Sequence, residues 1–273
     1  ETYNISQTIP INAVSSCRVY SSPNCKNKIA GDISLKWTTS KGTKEGNIYL
    51  NAGRSIGGIY DTIPRANQGK TAVLDFADYY KAGGGVMHGS KAQEECLGRV
   101  TNLTAFLWNE KIYKDLFGVN QYLRDAGKLG NNGGYADDRL MYIEGVTCVK
   151  KDTDEYETVP ANQRRKVDII WVAAPDLRCV SYSPAVREML KSRVRAVCEV
   201  GKRNNVDTLS TGALGCGVFK WNPDDVAGIF KEVLVDEGYR KHFRNVVINI
   251  PNKHSQNYQA FSKKFTPFLY KKG

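Results

Sequence analysis

The pattern of apolar and polar positions changes near Lys70. Before it, polar and turn residues dominate, and only Ser34–Trp37 and Asn47–Leu50 alternate as short strands do. After it, short apolar runs take turns with segments of helical spacing. Thr71–Ala77 (TAVLDFA) and Val167–Ala174 (VDIIWVAA) are continuous enough for strands buried on both faces. Leu140–Val149, Val206–Ser210 and Phe243–Ile250 are further strand segments, and Asp152–Arg165 is a polar loop. Ser90–Trp108, Ser183–Gly201, Asn222–Val235 and Gln256–Phe265 are predicted helices. Ser90 and Gln93 have the spacing of a capping box, and Pro184 suits a first helical position after Ser183. Strands alternating with helices predict an α/β fold, a sheet with helices on both faces. Residues 1–70 are expected to form an N-terminal extension packed on a core of residues 71–273.

Length and composition fit this picture. A chain of 273 residues buries a sizeable core without disulfides or metals. Its seven cysteines are odd in number, include no C-x-x-C pair and fall mostly in or beside apolar segments. That pattern suits reduced thiols in a cytoplasmic or nuclear protein. The three histidines, His88, His242 and His254, are too scattered for a His/Cys metal site, so neither metal nor cofactor is expected. No apolar run approaches the roughly 20 residues of a membrane helix, and Glu1–Pro10 shows no signal-peptide pattern. The net charge of +11 favours a polyanionic partner or serves solubility. Nucleic acid is admitted by this charge, yet the basic residues are dispersed, with Arg164-Arg165-Lys166 the tightest cluster, and no nucleic-acid motif accompanies them.

Two glycine-rich segments carry the candidate chemistry. Both follow predicted strands, which puts them at the rim where open α/β sheets bind ligands. The first runs Gly83-Gly84-Gly85-Val86-Met87-His88-Gly89-Ser90-Lys91-Ala92-Gln93-Glu94-Glu95. Consecutive glycines allow positive φ and close approach to a ligand. Adjacent helical residues diverge by about 100°. At a loop-to-helix junction, this divergence allows one glutamate to hold a ligand hydroxyl while the other faces the reacting bond. Without the preceding glycines, the helix dipole, worth about 0.3–1 kcal/mol, would be the better explanation of the two glutamates. That dipole lowers a carboxyl pKa, so an acid there needs burial or ligand phosphates to raise it.

The second segment is Gly212-Ala213-Leu214-Gly215-Cys216-Gly217-Val218-Phe219. Its small residues expose backbone N–H groups suited to a diphosphate, or simply make a tight turn. It is neither a Walker A loop nor a dinucleotide fingerprint. Asp224 and Asp225 open the next helix and would repel phosphate there, which leaves the loop itself as the cradle. Cys216 has no histidine near it in sequence and is a poor candidate nucleophile. Phe219 either stacks on a ribose or base or belongs to the core.

The run GGGVMHGSKAQEE resembles the signature of the poly(ADP-ribose) glycohydrolases, within the macrodomain superfamily. The run TGALGCGVFKWNPDDVAGIFKEVL resembles the diphosphate loop and following helix of the microbial members. YADDRLMY (Tyr135–Tyr142) and Phe243–Ile250 also look like that family, and the resemblance extends over Thr71–Phe265. It implies a macrodomain-like α/β/α sandwich with a mixed central sheet. It implies Glu95 as the catalytic acid, with Glu94 and Gln93 positioning ribose hydroxyls. Gly83, Gly84, Gly85 and Val86 would line the distal ribose and diphosphate. Gly212, Ala213, Gly215, Cys216, Gly217 and Val218 would wrap the phosphates, and Phe219 would pack on the distal ribose. Asp78 stands where many macrodomains have an Asn that contacts that ribose. The implied partners are ADP-ribose and poly(ADP-ribose) or ADP-ribosylated macromolecules. The same pocket suits single ADP-ribose units on protein or nucleic acid. A non-catalytic reader would share the fold without needing Glu95.

Overall fold

The computed structural model describes residues 16–271; the Glu1–Pro10 reading lies outside them. Eight strands form one mixed sheet: β1 (Cys17–Ser21), β2 (Ile33–Ser34), β3 (Asn47–Asn51), β4 (Thr71–Phe76), β5 (Arg139–Cys148), β6 (Arg165–Val172), β7 (Thr208–Thr211) and β8 (Asn245–Asn249). Their order is β2-β1-β5-β6-β4-β7-β8-β3. From β6 through β4, β7 and β8 to β3 the strands are parallel, whereas β5 is antiparallel to both β6 and β1. The helices are α1 (Gly57–Thr62), α2 (Arg65–Gln68), α3 (Gln93–Val100), α4 (Leu103–Leu107), α5 (Glu110–Ile112), α6 (Val119–Asp125), α7 (Pro184–Arg203), α8 (Pro223–Lys231) and α9 (Gln256–Phe265).

The period of two along each strand sorts its side chains between two cores. Ala72, Leu74, Ile170 and Val172 point to the layer containing α7, α8 and α9. Val73, Ala77, Ile169 and Trp171 point to the opposite layer, with Leu97, Val100, Leu103 and Leu107 of α3 and α4. This is the expected α/β/α sandwich. Asp75 falls on the α3 face by the same alternation and is wholly buried there.

Residues before Lys70 supply β1, β2 and β3 and so extend the sheet at both edges. Two sequence expectations are corrected. Ser90–Trp108 is not one helix. Asn102 exchanges its backbone N–H and its side-chain oxygen with Thr147 of β5, at 3.1 and 2.8 Å, and this draws the chain out between α3 and α4. No capping box forms either. Ala92 holds the N-cap position of α3, and Gln93 turns its amide to the sheet. Elsewhere the caps follow the sequence. Ser183 accepts from Val186 N at the start of α7, and Asn222 accepts from Asp224 N and Asp225 N at the start of α8.

Candidate active site

The parallel strands β4, β6, β7 and β8 end at one rim, and the loops that leave them enclose a cavity of about 980 Å³. That is at the upper end of the range for small-molecule sites, about 300–1,000 Å³. Asp78, Gly84, Gly85, Gln93, Glu94 and Glu95 line one wall, and Ala213, Gly215, Gly217, Val218 and Phe219 line another. The two glycine-rich segments therefore face one space.

Gly84 brings the first loop onto the glutamates. Its φ is +56°, and a Cβ there would lie 2.5 Å from Glu95 Oε1 and 2.9 Å from Glu94 Oε2. Only glycine gives both the left-handed backbone and the room. Glu95 Oε1 accepts the Gly85 N–H at 2.9 Å, and Glu94 Oε2 accepts the Asp78 N–H at 2.9 Å. Each carboxylate thus has one oxygen fixed by a loop amide. The other oxygens, Glu94 Oε1 and Glu95 Oε2, are buried and accept no hydrogen bond. Glu94 is 3% exposed and Glu95 7%.

Beneath them lies a third carboxyl that sequence reasoning overlooked. Both oxygens of Asp75 are buried and without hydrogen-bond partners. Burial, and then the charge of Glu95, push the Asp75 carboxyl well above the ordinary aspartate value. Burial, and then Asp75, do the same to Glu94 against the opposing Asp78 amide. Buried like charges in contact cannot all ionise readily. The signal was visible in TAVLDFA, where one charged residue interrupts a strand buried on both faces.

Gln93 ties this wall to the sheet. Its carbonyl accepts from Phe76 N at 2.9 Å, and its amide donates to Leu74 O at 2.8 Å and Ser55 Oγ at 2.9 Å. Ser55 also lines the cavity, and its carbonyl accepts from Ser210 Oγ. Ser210 Oγ accepts in turn from Asn249, which accepts from Asn51. Ser55, Asn249 and Asp152 are wall residues without a sequence motif to announce them. Asp78 uses Oδ1 to accept from Tyr80 N and Lys81 N at 2.8 and 3.0 Å. An ionised carboxylate is acceptor-only, and here that capacity holds its own loop together.

Four proposed ligand contacts sit elsewhere. Gly83 faces Thr104 and Val86, and Val86 packs behind the loop against Gly83 and Gly98. Gly212 allows β7 and β8 to end in contact, since a Cβ would meet Asn249 O at 2.5 Å. Cys216 packs against the main core, and burial pushes its thiol up to about 12, which removes it as a nucleophile at neutral pH. Gly215 has φ +83° and lies against Trp221, whereas Gly217 opens on empty space.

Residues 1–150 match the family model described as microbial-type PARG, catalytic domain, PARG being poly(ADP-ribose) glycohydrolase. The chain belongs to that family. The match contains the wall from Asp75 to Glu95. No curated protein matches the chain. Among solved structures, poly(ADP-ribose) glycohydrolase from Deinococcus radiodurans in complex with ADP-ribose superposes with a TM-score of 0.75 at 21% identity, covering 99% of this chain and 100% of that one. The enzyme from Thermomonospora curvata, bound to the inhibitor ADP-HPD, gives 0.73 at 22% identity, covering 93% and 87%. At these identities the likeness establishes a shared fold. This microbial-type glycohydrolase therefore has the macrodomain-like architecture expected from its sequence.

Proposed function

We propose that the protein hydrolyses the ribose–ribose bonds of poly(ADP-ribose) and releases ADP-ribose, with Glu95 as the acid. The observation that carries this is a pair of buried glutamates, each pinned by one loop amide and each keeping one oxygen unengaged, opposite a glycine-rich loop that lines the same cavity. Family membership supports the same reaction.

In this reading the terminal ADP-ribose lies along the cavity. The amides of Gly215, Gly217 and Val218 take its diphosphate, since those of Leu214 and Cys216 already donate to Gly212 O and Ala213 O, and Phe219 covers the distal ribose. Glu94 Oε1 accepts from ribose hydroxyls. Glu95 Oε2 gives its proton to the bridging oxygen as the bond to the anomeric carbon breaks. The neighbouring unit leaves as an alcohol, and positive charge develops on the sugar. Glu95, now ionised, takes a proton from the water that adds to that carbon, which restores the acid. Ordinary glycosidases divide these tasks between two carboxyl groups. Here Glu95 serves as acid and then as base, while the substrate's own diphosphate stabilises the cation. The cysteines form no disulfide among the described residues, which supports a cytoplasmic location.

Incubation with poly(ADP-ribose) and with mono-ADP-ribosylated protein, reading released ADP-ribose, tests the proposal. Release from polymer is expected. Binding without release from either substrate would make the protein a reader.

A further inference from the structure

We infer that Lys81 and Arg178 form an anion-binding subsite in the wall of the cavity, which takes the diphosphate of the neighbouring ADP-ribose unit, the one that leaves. This rests on the glycohydrolase reading above and extends it from the bond cleaved to the polymer that carries it.

Among the described residues four cations line the cavity, Arg54, Lys81, Lys91 and Arg178, and Lys91 belongs to the segment just before α3, on the Gln93 side. Arg54 stands by Gln93 and Ser55, and it is engaged with Asp154 and with the Tyr156 ring and hydroxyl. Lys81 and Arg178 stand at the other end. Lys81 follows Asp78 in the loop after β4 and bonds its backbone N–H to the Asp78 carboxylate. Arg178 comes from the loop after β6 and lies over the Phe219 ring, 5.5 Å from its centroid. Its bond to Asp176, and more weakly the charge of Asp78, favour the protonated form of Arg178, so the two loops converge there. Both side chains line the same cavity as Gly84 and Glu95.

Their charges remain available. Lys81 is exposed and takes part in no ion pair among the described residues. Arg178 is about half exposed, and Asp176 holds only its Nε and Nη2, which leaves Nη1 pointing elsewhere. Both acidic neighbours are already committed, Asp78 to loop amides and Asp176 to Arg178.

Substrate chemistry supplies the rest. If Phe219 and Glu94 hold the distal ribose with its anomeric carbon at Glu95, the bridging oxygen points out of the cavity. That oxygen belongs to the adenosine ribose of the next unit, whose diphosphate is attached to the same ribose. The diphosphate therefore comes near the rim beside Asp78 and Phe219, where the two cations stand. A single ADP-ribose on a protein side chain offers no second diphosphate, so this subsite selects polymer.

The test compares wild type with Lys81→Gln, Arg178→Gln and the double variant on three probes: poly(ADP-ribose) of defined length, an aryl ADP-ribose conjugate, and free ADP-ribose. Exposed charge pairs contribute little individually, so the double variant should raise KM for polymer by about three- to tenfold. Its kcat on polymer should be unchanged, and its polymer KM should depend less steeply on salt, as expected when fewer phosphates are neutralised. Cleavage of the aryl conjugate and the calorimetric Kd for ADP-ribose should stay at wild-type values. Arg178→Lys should restore part of the polymer KM. Equal losses on polymer and aryl conjugate, or no loss on polymer, would overturn the subsite. Polymer binding to the same variants in a Glu95→Gln background separates the two ideas. If wild type cleaves nothing, yet polymer binds more tightly than ADP-ribose and loses that advantage with the two cations, the subsite stands and the glycohydrolase reading fails.

Discussion

Glu95 Oε1 accepts the Gly85 N–H at 2.9 Å, so the glycine loop and this glutamate are held together by the fold itself. A glutamine at position 95 keeps an oxygen for that amide and loses the ionisable proton. Glu95→Gln should therefore reduce turnover by about 10²–10⁴-fold, the usual contribution of general acid catalysis, with little change in ADP-ribose affinity. Released ADP-ribose and calorimetry on the same preparation check this. Wild-type turnover in the variant would remove Glu95 as the acid.

Glu94 lines the same cavity, and the proposed mechanism gives it the opposite division of labour. Its Oε2 receives the Asp78 amide and its Oε1 accepts no hydrogen bond. Glu94→Gln should lose more affinity and less turnover than Glu95→Gln. Calorimetry and initial rates on the two variants decide the order, and the reverse order would exchange the assigned roles.

Gly84 sets the spacing of both carboxylates. A methyl group there meets Glu95 Oε1 at 2.5 Å and also strains a backbone of φ +56°. Gly84→Ala should lower turnover by about 10²-fold, the scale of a misplaced reacting group, and destabilise the fold by about 1 kcal/mol. Gly217 is the contrasting case, because its missing side chain faces open space. Gly217→Val should leave the melting temperature nearly unchanged and weaken ADP-ribose binding more than Cys216→Ser does. Equal affinity of those two variants would reduce the second loop to a turn.

Asp75 gives a pH dependence of defined sign. Its carboxyl is raised in the folded protein, by burial and then by Glu95. The folded state then holds a proton that the unfolded chain releases above about pH 4. Stability supplied by that proton is present below the unfolded value and declines as pH rises towards the folded one. Asp75→Asn keeps the size and removes the titration. The unliganded variant should lose less melting temperature than wild type between pH 5 and 8 (about three units chosen to lie above the unfolded value). Parallel melting curves would show that Asp75 does not titrate there.

The sequence made most of this site legible because its parts are local. Glycines that must reach a ligand and glutamates that must follow them lie within one loop and one helical turn, so spacing alone brings them together. Helices with strong caps, such as the one opened by Ser183-Pro184, were equally plain. Long-range pairings were not. Ser55 and Asn249 meet across a sheet edge, and nothing near either residue in sequence announces the other. Gln93 looked like half of a capping box, but two buried backbone groups of β4 offered its amide better partners. Cys17–Ser21 went unread as a strand because its pairing with β5 spans more than a hundred residues of chain.

The early strands have a consequence for any attempt to isolate the catalytic half of the molecule. The glycine motifs begin after Lys70, and a shortened protein starting there would retain every residue of the recognisable signature. It would also lose β3, which covers the edge of β8, and β1, which covers the edge of β5. Ser55, the partner of Gln93 and a wall of the cavity, would go with them. Two bare sheet edges invite pairing with other chains. The smallest unit able to work is therefore larger than the smallest unit that can be recognised.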